Sequence, residues 1–167
     1  MSVNVLVRYG RIPEVAKVVA EDRRERGEKV VVRTHRGLEL GTVLETLKPP
    51  LKPEEAESDF VVVREATAED QFEFTGLATR AGDEFGEWEL RITEWKLDLQ
   101  LIDLEWTLDR EKLILYVLNE RGPECTRLAI QAAAAGLGIV EVQPVSATGL
   151  VEKEKTDGGC GDCGCGQ

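Results

Sequence analysis

The stretch Trp95–Leu118, WKLDLQLIDLEWTLDREKLILYVL, decides the fold, because it predicts two strands joined by a tight turn. Apolar and polar residues alternate over residues 97–108, as in a half-buried strand. The alternation changes phase at the adjacent pair Leu101-Ile102, which predicts a β-bulge. Residues 108–111 are compatible with a turn. The unbroken apolar run Leu113–Leu118 predicts a strand in the interior of a sheet.

A strand and a helix are predicted before this hairpin. The strand is Asp59–Glu65, DFVVVRE, with a continuous valine core. Thr67 is a typical helix N-cap, and apolar residues then recur every three or four positions as far as Trp95, which predicts an amphipathic helix. Three glycines within this helix lower its propensity, so we expect a kink or a break there.

A second helix and a last strand are predicted after the hairpin. Pro123 suits the first turn of a helix, and Gly138–Val145 reads as a strand. The order strand, helix, strand, strand, helix, strand predicts a ferredoxin-like βαββαβ unit over residues 59–146. In that arrangement the first and third strands lie in the middle of the sheet and the second and fourth at its edges.

The N-terminal part predicts a different kind of unit. Short strands and turn glycines over residues 1–47 predict a small β-barrel-like unit, in which Glu28–Thr34 and Leu38–Leu47 form a hairpin. Gly41 within the second strand predicts a bulge or a bend. Residues 48–58, KPPLKPEEAES, predict a stiff linker, and residues 147–167 a flexible Cys/Gly-rich tail. The predicted fold class is therefore α+β.

The charge is distributed unevenly along the chain. The formal net charge is -11, yet residues 1–50 contain 10 Lys and Arg against 7 Asp and Glu. Any basic face therefore lies in the N-terminal part, where Arg11, Arg33 and Arg36 could contact RNA; a solvated face of mixed charge is the other interpretation. No apolar run is long enough to span a bilayer, and the first residues do not resemble a signal peptide. We expect a cytoplasmic protein with no membrane insertion.

Three cysteines, Cys160, Cys163 and Cys165, lie among glycines near the end of the sequence. Thiolates at this spacing can bind a soft metal such as zinc or part of an iron–sulfur cluster. A flexible tail with no fixed ligand is the alternative. Cys125 stands alone in a helical pattern and is expected to be a small core residue.

The pattern of catalytic residue types argues against an enzyme. His35 is the only histidine, and the sequence has no phosphate-binding loop or nucleophile elbow. Asp98, Asp103, Glu105 and Asp109 could form a carboxylate cluster for acid–base chemistry or Mg²⁺. Acidic residues on the outer face of an edge strand are expected in any case, because they discourage edge-to-edge aggregation.

Three stretches resemble the PSP C-terminal domain family, which includes the bacterial YaaT (RicT) regulators. They are VVVRTHRGLELGTVLE, VVVREATAED and LDLQLIDLEWTLDREKLILYVL. Near the end of the chain, Gly158–Gly164 is similar to a family segment and places Cys163 at the family's cysteine. The motif residues matched in the first stretch are Val32, Thr34, Arg36, Gly37, Glu39, Gly41 and Val43. Those matched in the second and third are Arg64, Ala66, Asp70, Leu97, Asp98, Asp103, Glu105, Thr107, Asp109, Arg110, Lys112 and Tyr116.

The resemblance implies a non-enzymatic cytoplasmic regulatory adaptor. Some family members form a complex with two small helical regulators, hold iron–sulfur clusters and act with ribonuclease Y in messenger-RNA maturation and phosphorelay control. The resemblance implies similar partners here, with a cluster or zinc at the tail cysteines. It also implies that the motif residues serve the fold or a partner surface, namely Thr34, Arg36, Gly37, Glu39, Gly41, Asp98, Asp103, Glu105, Asp109 and Arg110. Two alternatives stay open: an RNA-binding module that uses the N-terminal arginines, and a metal-handling protein that uses the tail.

Overall fold

The computed structural model describes residues 2–50, 52, 57–118 and 122–151. It is an α+β structure with nine strands in two sheets and two helices in the described part of the chain. The elements are β1 (Val3–Tyr9), β2 (Glu14–Ala20), β3 (Lys29–Thr34), β4 (Gly37–Thr46), β5 (Val61–Glu65), α1 (Ala68–Glu94), β6 (Gln100–Trp106), β7 (Lys112–Leu118), α2 (Pro123–Ala134), β8 (Ile139–Ser146) and β9 (Gly149–Leu150).

The first sheet is a closed barrel with the strand order β1-β2-β5-β3-β4. Its valine-rich strands alternate, so every second side chain points inward. The inward side chains form a core of fully buried or nearly fully buried apolar residues. They are Val5, Val7, Val18, Ala20, Val30, Val32 and Val43.

Gly41 marks the point where two barrel strands approach each other most closely. A Cβ added at Gly41 would lie 2.4 Å from Cγ1 of Val7, far inside van der Waals contact. The register of β1 against β4 shifts between Leu6 and Val7. The residue skipped by this shift is Leu44, whereas Gly41 pairs regularly with Tyr9. The predicted irregularity of β4 is therefore present, but three residues beyond the glycine.

Strand β5 does not belong to the sheet in which the sequence places it. It pairs antiparallel with β3 and parallel with β2 at Val19 and Val61, and so it closes the barrel from beyond the predicted linker. The βαββαβ unit over residues 59–146 therefore lacks its first strand and the ferredoxin-like order is not formed. The valine run of β5 indicates a strand but does not indicate which sheet the strand joins. In the barrel, only Val62 of this run packs against the core, while Val61 and Val63 are exposed.

The second sheet has the order β6-β7-β8-β9. The hairpin of β6 and β7 has its register shift between Leu101 and Asp103, which confirms the predicted bulge. Strand β7 is interior and β6 is at the edge, as predicted. Strand β8 pairs in parallel directly with β7, and its last residues also pair with Gly149 and Leu150 of β9. The predicted edge position of β8 is thus wrong at that end, and the predicted tail over residues 147–167 begins with a short strand.

Helices α1 and α2 cover one face of this sheet. Leu104, Leu113 and Leu128 are buried with Trp88 and Cys125 in a core that joins both helices to β6 and β7. Cys125 is therefore the core residue that the sequence predicts. This arrangement leaves the opposite face of the sheet free to meet the barrel.

Helix α1 is one unbroken helix of 27 residues. Its N-cap, Thr67, forms a capping box with Asp70, since each residue binds the backbone N–H of the other. The helix continues through the three glycines without a break. The buried stripe of Leu77, Ala81 and Trp88 packs on the sheet, and this tertiary packing outweighs the low helix propensity of glycine.

The barrel rests on the uncovered face of the second sheet. Ile114, Tyr116 and Val145 point to this side and are buried with Ile12. The backbone N–H of Leu108 donates to the carbonyl of Leu38 at 2.7 Å, which ties the β6–β7 turn to the barrel. No helix in the described ranges is both long and apolar enough to cross a membrane.

Candidate functional site

Polar side chains close the end of the barrel that meets the sheet. Thr34 continues the inward row of Val30 and Val32 on β3, and Glu39 lies opposite Val32 on β4. Both are almost fully buried. The Thr34 hydroxyl donates to Oε2 of Glu39 at 2.6 Å. A carboxylate in this position needs further donors, because a buried charge without partners is costly.

Arg36 supplies those donors from the turn between β3 and β4. It is only 4% exposed. Its Nε donates to Oε2 of Glu39 at 3.2 Å, while Nη2 donates to Oε1 of the same carboxylate, so the pair is bidentate. The guanidinium also lies 5.5 Å from the ring centre of Tyr9, within the range of a cation–π contact.

The same guanidinium reaches across to the second sheet. Nη1 donates to the hydroxyl oxygen of Tyr116 at 2.9 Å, and Nη2 donates to Oε1 of Glu105 at 3.1 Å. The Tyr116 hydroxyl in turn donates to Glu105. Arg36 therefore joins a carboxylate of the barrel to a carboxylate of the sheet; Thr34 also binds the first of these, Glu39, and Tyr116 also binds the second, Glu105. We call Thr34, Arg36, Glu39, Glu105 and Tyr116 the junction network.

Protonation states in the junction network follow from burial and charge. Burial opposes the charge on Arg36, but the hydrogen bonds and the negative charge of Glu39 outweigh it and raise the pKa of Arg36 above its ordinary value. Burial, with the charge of Glu105, raises the pKa of Tyr116 well above its usual range. Arg36 thus stays charged and Tyr116 stays a proton donor.

Arg11 extends the network at its solvent-exposed rim. Its backbone N–H donates to Oε2 of Glu105 at 3.0 Å, and its side-chain Nε donates to Oδ2 of Asp103 at 2.8 Å. These two hydrogen bonds join the turn between β1 and β2 to the face of β6 that meets the barrel. Asp103 and Glu105 are therefore barrel contacts, which the bulge at Ile102 orients to one side of the strand.

Asp109 forms a second contact between the sheet and the barrel. Its Oδ2 accepts from the backbone N–H of Leu38 at 3.1 Å, and its Oδ1 accepts from the hydroxyl of Thr107 at 2.5 Å. Gly37, next to Leu38, has φ of +133°, and a Cβ there would lie 3.0 Å from Oδ2 of Asp109. Glycine at position 37 therefore satisfies both the backbone conformation and the close approach of the carboxylate.

Two other motif residues lie outside the junction. Arg110 is exposed in the β6–β7 turn, where it has φ of +61° and pairs with Glu73 of α1 at 3.1 Å. Asp98 is exposed before β6, and its backbone N–H donates to Oε2 of Glu124 at 3.1 Å. The four predicted carboxylates thus do not form one cluster, because Asp98 lies apart and the other three each bind barrel groups.

The arginines of the RNA alternative have different environments. Arg36 is buried and Arg11 pairs with Asp103. Arg33 is exposed on β3 and makes no ion pair within the described ranges. Arg36 therefore cannot present its guanidinium to a nucleic acid in this structure, whereas Arg33 is exposed and Arg11 is exposed although paired with Asp103.

The predicted ligands Cys160, Cys163 and Cys165 lie outside the described residues, and the metal or iron–sulfur site stays a prediction. Among the residues that the structure describes, no group of three or more His, Cys, Asp and Glu is placed to hold a metal ion. The clefts in the described part of the chain include two of larger size. One of about 480 Å³ lies between the barrel and the start of α1 and is lined in part by the ion pair Arg64–Asp70 and by Glu73. The other, of about 290 Å³, lies at the far end of the barrel near Pro49.

Reasoning from the sequence missed Tyr9 as a member of this region. It is 4% exposed and flanks Arg36. The inward alternation of Val5 and Val7 extends to position 9 and could have placed its ring inside the barrel. The contact with Arg36 could not be found that way, since β1 and the β3–β4 turn are brought together only by the fold.

Comparison with known proteins gives no assignment: no family model, no curated protein and no solved structure matches this chain.

Proposed function

We propose that this chain is a non-enzymatic regulatory adaptor of the YaaT/RicT type, which acts through protein partners. The observation that supports this proposal is that the motif side chains form hydrogen bonds with one another. Thr34, Arg36, Glu39 and Glu105 satisfy one another within the junction network. A general acid, base or nucleophile has to reach a substrate, whereas these groups bind their neighbours and fix the barrel on the sheet.

An adaptor needs surfaces that are held at a fixed relative position. The junction network and the Asp109 contact to Leu38 provide that connection.

The proposal includes a metal or iron–sulfur cluster at Cys160, Cys163 and Cys165, as the resemblance implies. Thiolates would supply the soft ligands that such a group requires. Anaerobic purification with absorbance and metal analysis tests this part, with serine at the three positions as the control. Iron with sulfide, or zinc, that is lost in the serine variant is the expected result; a metal-free wild type contradicts the cofactor but not the adaptor.

The adaptor itself is tested with purified partners of the class that the resemblance implies. The chain is mixed with ribonuclease Y and with the two small helical regulators from the same organism, and complexes are measured by size-exclusion chromatography with light scattering. A complex with at least one of these partners is expected. Arg33→Glu serves as a charge control, because it alters an exposed residue outside the junction network. Failure of all three proteins to bind contradicts a regulator of this type, and salt-dependent RNA binding that Arg33→Glu removes would favour the RNA-binding module.

A further inference from the structure

One side of the second sheet is almost free of charge. Residues 128–151 contain a single charged residue, Glu141, although 32% of the whole chain is charged and its formal net charge is -11. They form most of α2 together with β8 and β9. Two of their large apolar side chains lie in solvent, since Ile130 is 62% exposed and Ile139 is 64% exposed. On a strongly acidic protein, an almost uncharged surface is where another acidic protein can approach with the least repulsion.

Strand β8 has an open edge in this region. One of its edges pairs with β7 along residues 139–145 without a register shift. On the other edge, β9 pairs only with Val145 and Ser146. No strand in the described part of the chain pairs with residues 139–143 on that side. The stretch 139–143 also contains no proline and no bulge, two of the features that protect edge strands from pairing.

The backbone orientation at this edge follows from Pro144. The N–H of Val151 donates to the carbonyl of Pro144 at 3.0 Å, so position 144 directs its backbone groups to the edge away from β7. Successive residues of a strand direct these groups to alternate sides. Val140 and Val142 therefore direct an N–H and a C=O each to the open edge. Their side chains pack against the core that the helices cover.

Helix α2 has a flank of small side chains above the open edge. The helix packs on β8. Glu124 marks the flank that faces the rest of the sheet, since its Oε2 accepts from the backbone N–H of Asp98, which precedes β6. At about 100° per residue, Thr126, Ala129 and Ala133 lie within about 40° of the opposite direction. That flank therefore faces outward over the edge of β8, and its small side chains allow a second helix to come close.

We infer that two copies of this chain associate through β8 and α2. The two β8 strands pair antiparallel about a two-fold axis at Glu141, so that Val140 of each copy exchanges both backbone hydrogen bonds with Val142 of the other. The two sheets then form one continuous sheet, and the outward flanks of the two α2 helices meet on its helical face. This self-association goes beyond the proposed adaptor function and does not depend on it.

Glu141 is the charged residue that this arrangement brings to the axis, opposite its own copy. Each carboxylate has a cation, because Nζ of Lys112 lies 3.7 Å from Oε2 of Glu141, and Nε2 of His35 lies 3.9 Å from its Oε1. The barrel is hydrogen-bonded to β6, β7 and the turn between them. It therefore leaves the β8 end of the sheet open to a second copy, as the exposure of Ile139 indicates.

The residues after Val151 are the competing occupant of the edge. In the register of the β8–β9 hairpin, residues 152–155 would run back along β8. Their sequence is Glu-Lys-Glu-Lys. It would place Glu154 opposite Glu141 and two lysines beside the uncharged flank of α2, and like charges directly opposite are destabilising. A second copy instead places valine opposite valine, so the pattern of side chains favours the second copy.

Sedimentation equilibrium of the full chain tests the inference, with a reductant and a chelator present so that the tail cysteines cannot link two copies. We expect a dimer that dissociates on dilution and becomes tighter as salt is raised, because salt screens the repulsion between two acidic copies. A full chain that stays monomeric at about 0.1 mM overturns the inference. If that monomer dimerises once residues 152–167 are deleted, the edge is assigned to the tail instead.

Val142→Pro tests the strand pairing. Proline removes the N–H that faces the open edge, once in each copy, whereas the pairing of β8 with β7 does not use this group. We expect the dissociation constant of the dimer to rise at least about tenfold. Val142→Ala is the matched control, because it keeps the N–H, and it should raise the dissociation constant less than Val142→Pro does. Circular dichroism checks that both variants are folded.

A charge on α2 tests the helix contact at an exposed position, where the fold is not at risk. Ala133→Glu places a carboxylate on the outward flank, where the two copies of it would repel each other, and is expected to raise the dissociation constant at least about tenfold. Gln131→Glu is the matched control: Gln131 is also exposed but lies within about 20° of Glu124, on the other flank. It should associate like the wild type. A dimer that neither Val142→Pro nor Ala133→Glu weakens forms through another surface and contradicts the inference.

Discussion

Arg36 and Glu39 show how much a single residue contributes to this fold. The pair is almost fully buried, and Arg36 also neutralises Glu105. Removing one member of a buried pair leaves an uncompensated charge, which costs far more than the intact pair contributes. We therefore expect a substitution at Arg36 or Glu39 to destabilise the fold strongly.

We expect Arg36→Met to lower the free energy of unfolding by about 3–5 kcal/mol, because Glu39 and Glu105 lose their common cation. Urea denaturation followed by circular dichroism measures the change. The double variant Arg36→Met with Glu39→Leu is expected to be less damaging, since no unpaired carboxylate remains at position 39. Arg110→Met removes the exposed pair with Glu73 and should cost less than about 1 kcal/mol. A loss at position 110 equal to that at position 36 would contradict the assignment of the junction.

Asp109 makes the stability of the fold depend on pH, because its pKa differs between the folded and the unfolded chain. Burial alone would raise the pKa of Asp109, but hydrogen bonds from Thr107 and from the backbone N–H groups of Leu38 and Glu111 outweigh it and lower the pKa. In the unfolded chain an aspartate has a pKa of about 3.9, so the unfolded state binds the proton first as the pH falls. The stabilisation by Asp109 is complete above that value and is lost as the pH falls through the lower pKa of the folded state.

Asp109→Asn should therefore reduce stability at neutral pH and reduce the loss of stability on acidification. Thermal melting between neutral pH and about pH 3 measures both effects. Asp98→Asn is the control, because Asp98 is exposed away from the junction. An unchanged acid dependence in Asp109→Asn would show that the contact to Leu38 does not stabilise the fold.

Glycines act differently in the two kinds of element. In the barrel, Gly41→Ala would put a Cβ 2.4 Å from Val7, and we expect a loss of about 1–3 kcal/mol from overpacking. In α1, Gly82→Ala meets nothing within 4 Å and should gain about 1 kcal/mol, since alanine has the higher helix propensity. Chemical denaturation of the two variants side by side tests this, and a destabilising Gly82→Ala would mean that the outer side of α1 is more constrained than its exposure indicates.

The barrel extends in the sequence as far as strand β5, which pairs with both β2 and β3. Without it, β2 and β3 have no common neighbour and the barrel is open. We expect a fragment of residues 1–47 to fail to fold or to aggregate through its free strand edges, and a fragment of residues 1–66 to gain ordered structure. Amide resonance dispersion in NMR spectra of the two fragments measures the difference. Equally well dispersed spectra would show that four strands suffice.

At the scale of the whole molecule, the barrel and the sheet are one connected structure. Thr34 and Glu39 close the end of the barrel, Arg36 crosses to Tyr116 and Glu105, and Asp109 binds back to Leu38. The motif residues Thr34, Arg36, Glu39, Glu105, Asp109 and Tyr116 therefore lie where the two parts meet, although the two groups of them are far apart in the sequence. This position explains why residue types that suggest acid–base chemistry are here used to join two sheets.

The sequence by itself determined the elements. Alternation, turn chemistry and capping act between residues close in the chain. They predicted the β6–β7 hairpin with its bulge, the strands of the N-terminal part and the N-cap Thr67. Tertiary structure alone decided which sheet β5 enters, since a short valine run indicates a strand but not the strand with which it pairs. Tertiary structure also brought the members of the junction network together. Arg36 and Tyr116 are 80 residues apart, and no local sequence pattern predicts which turn will contact which strand.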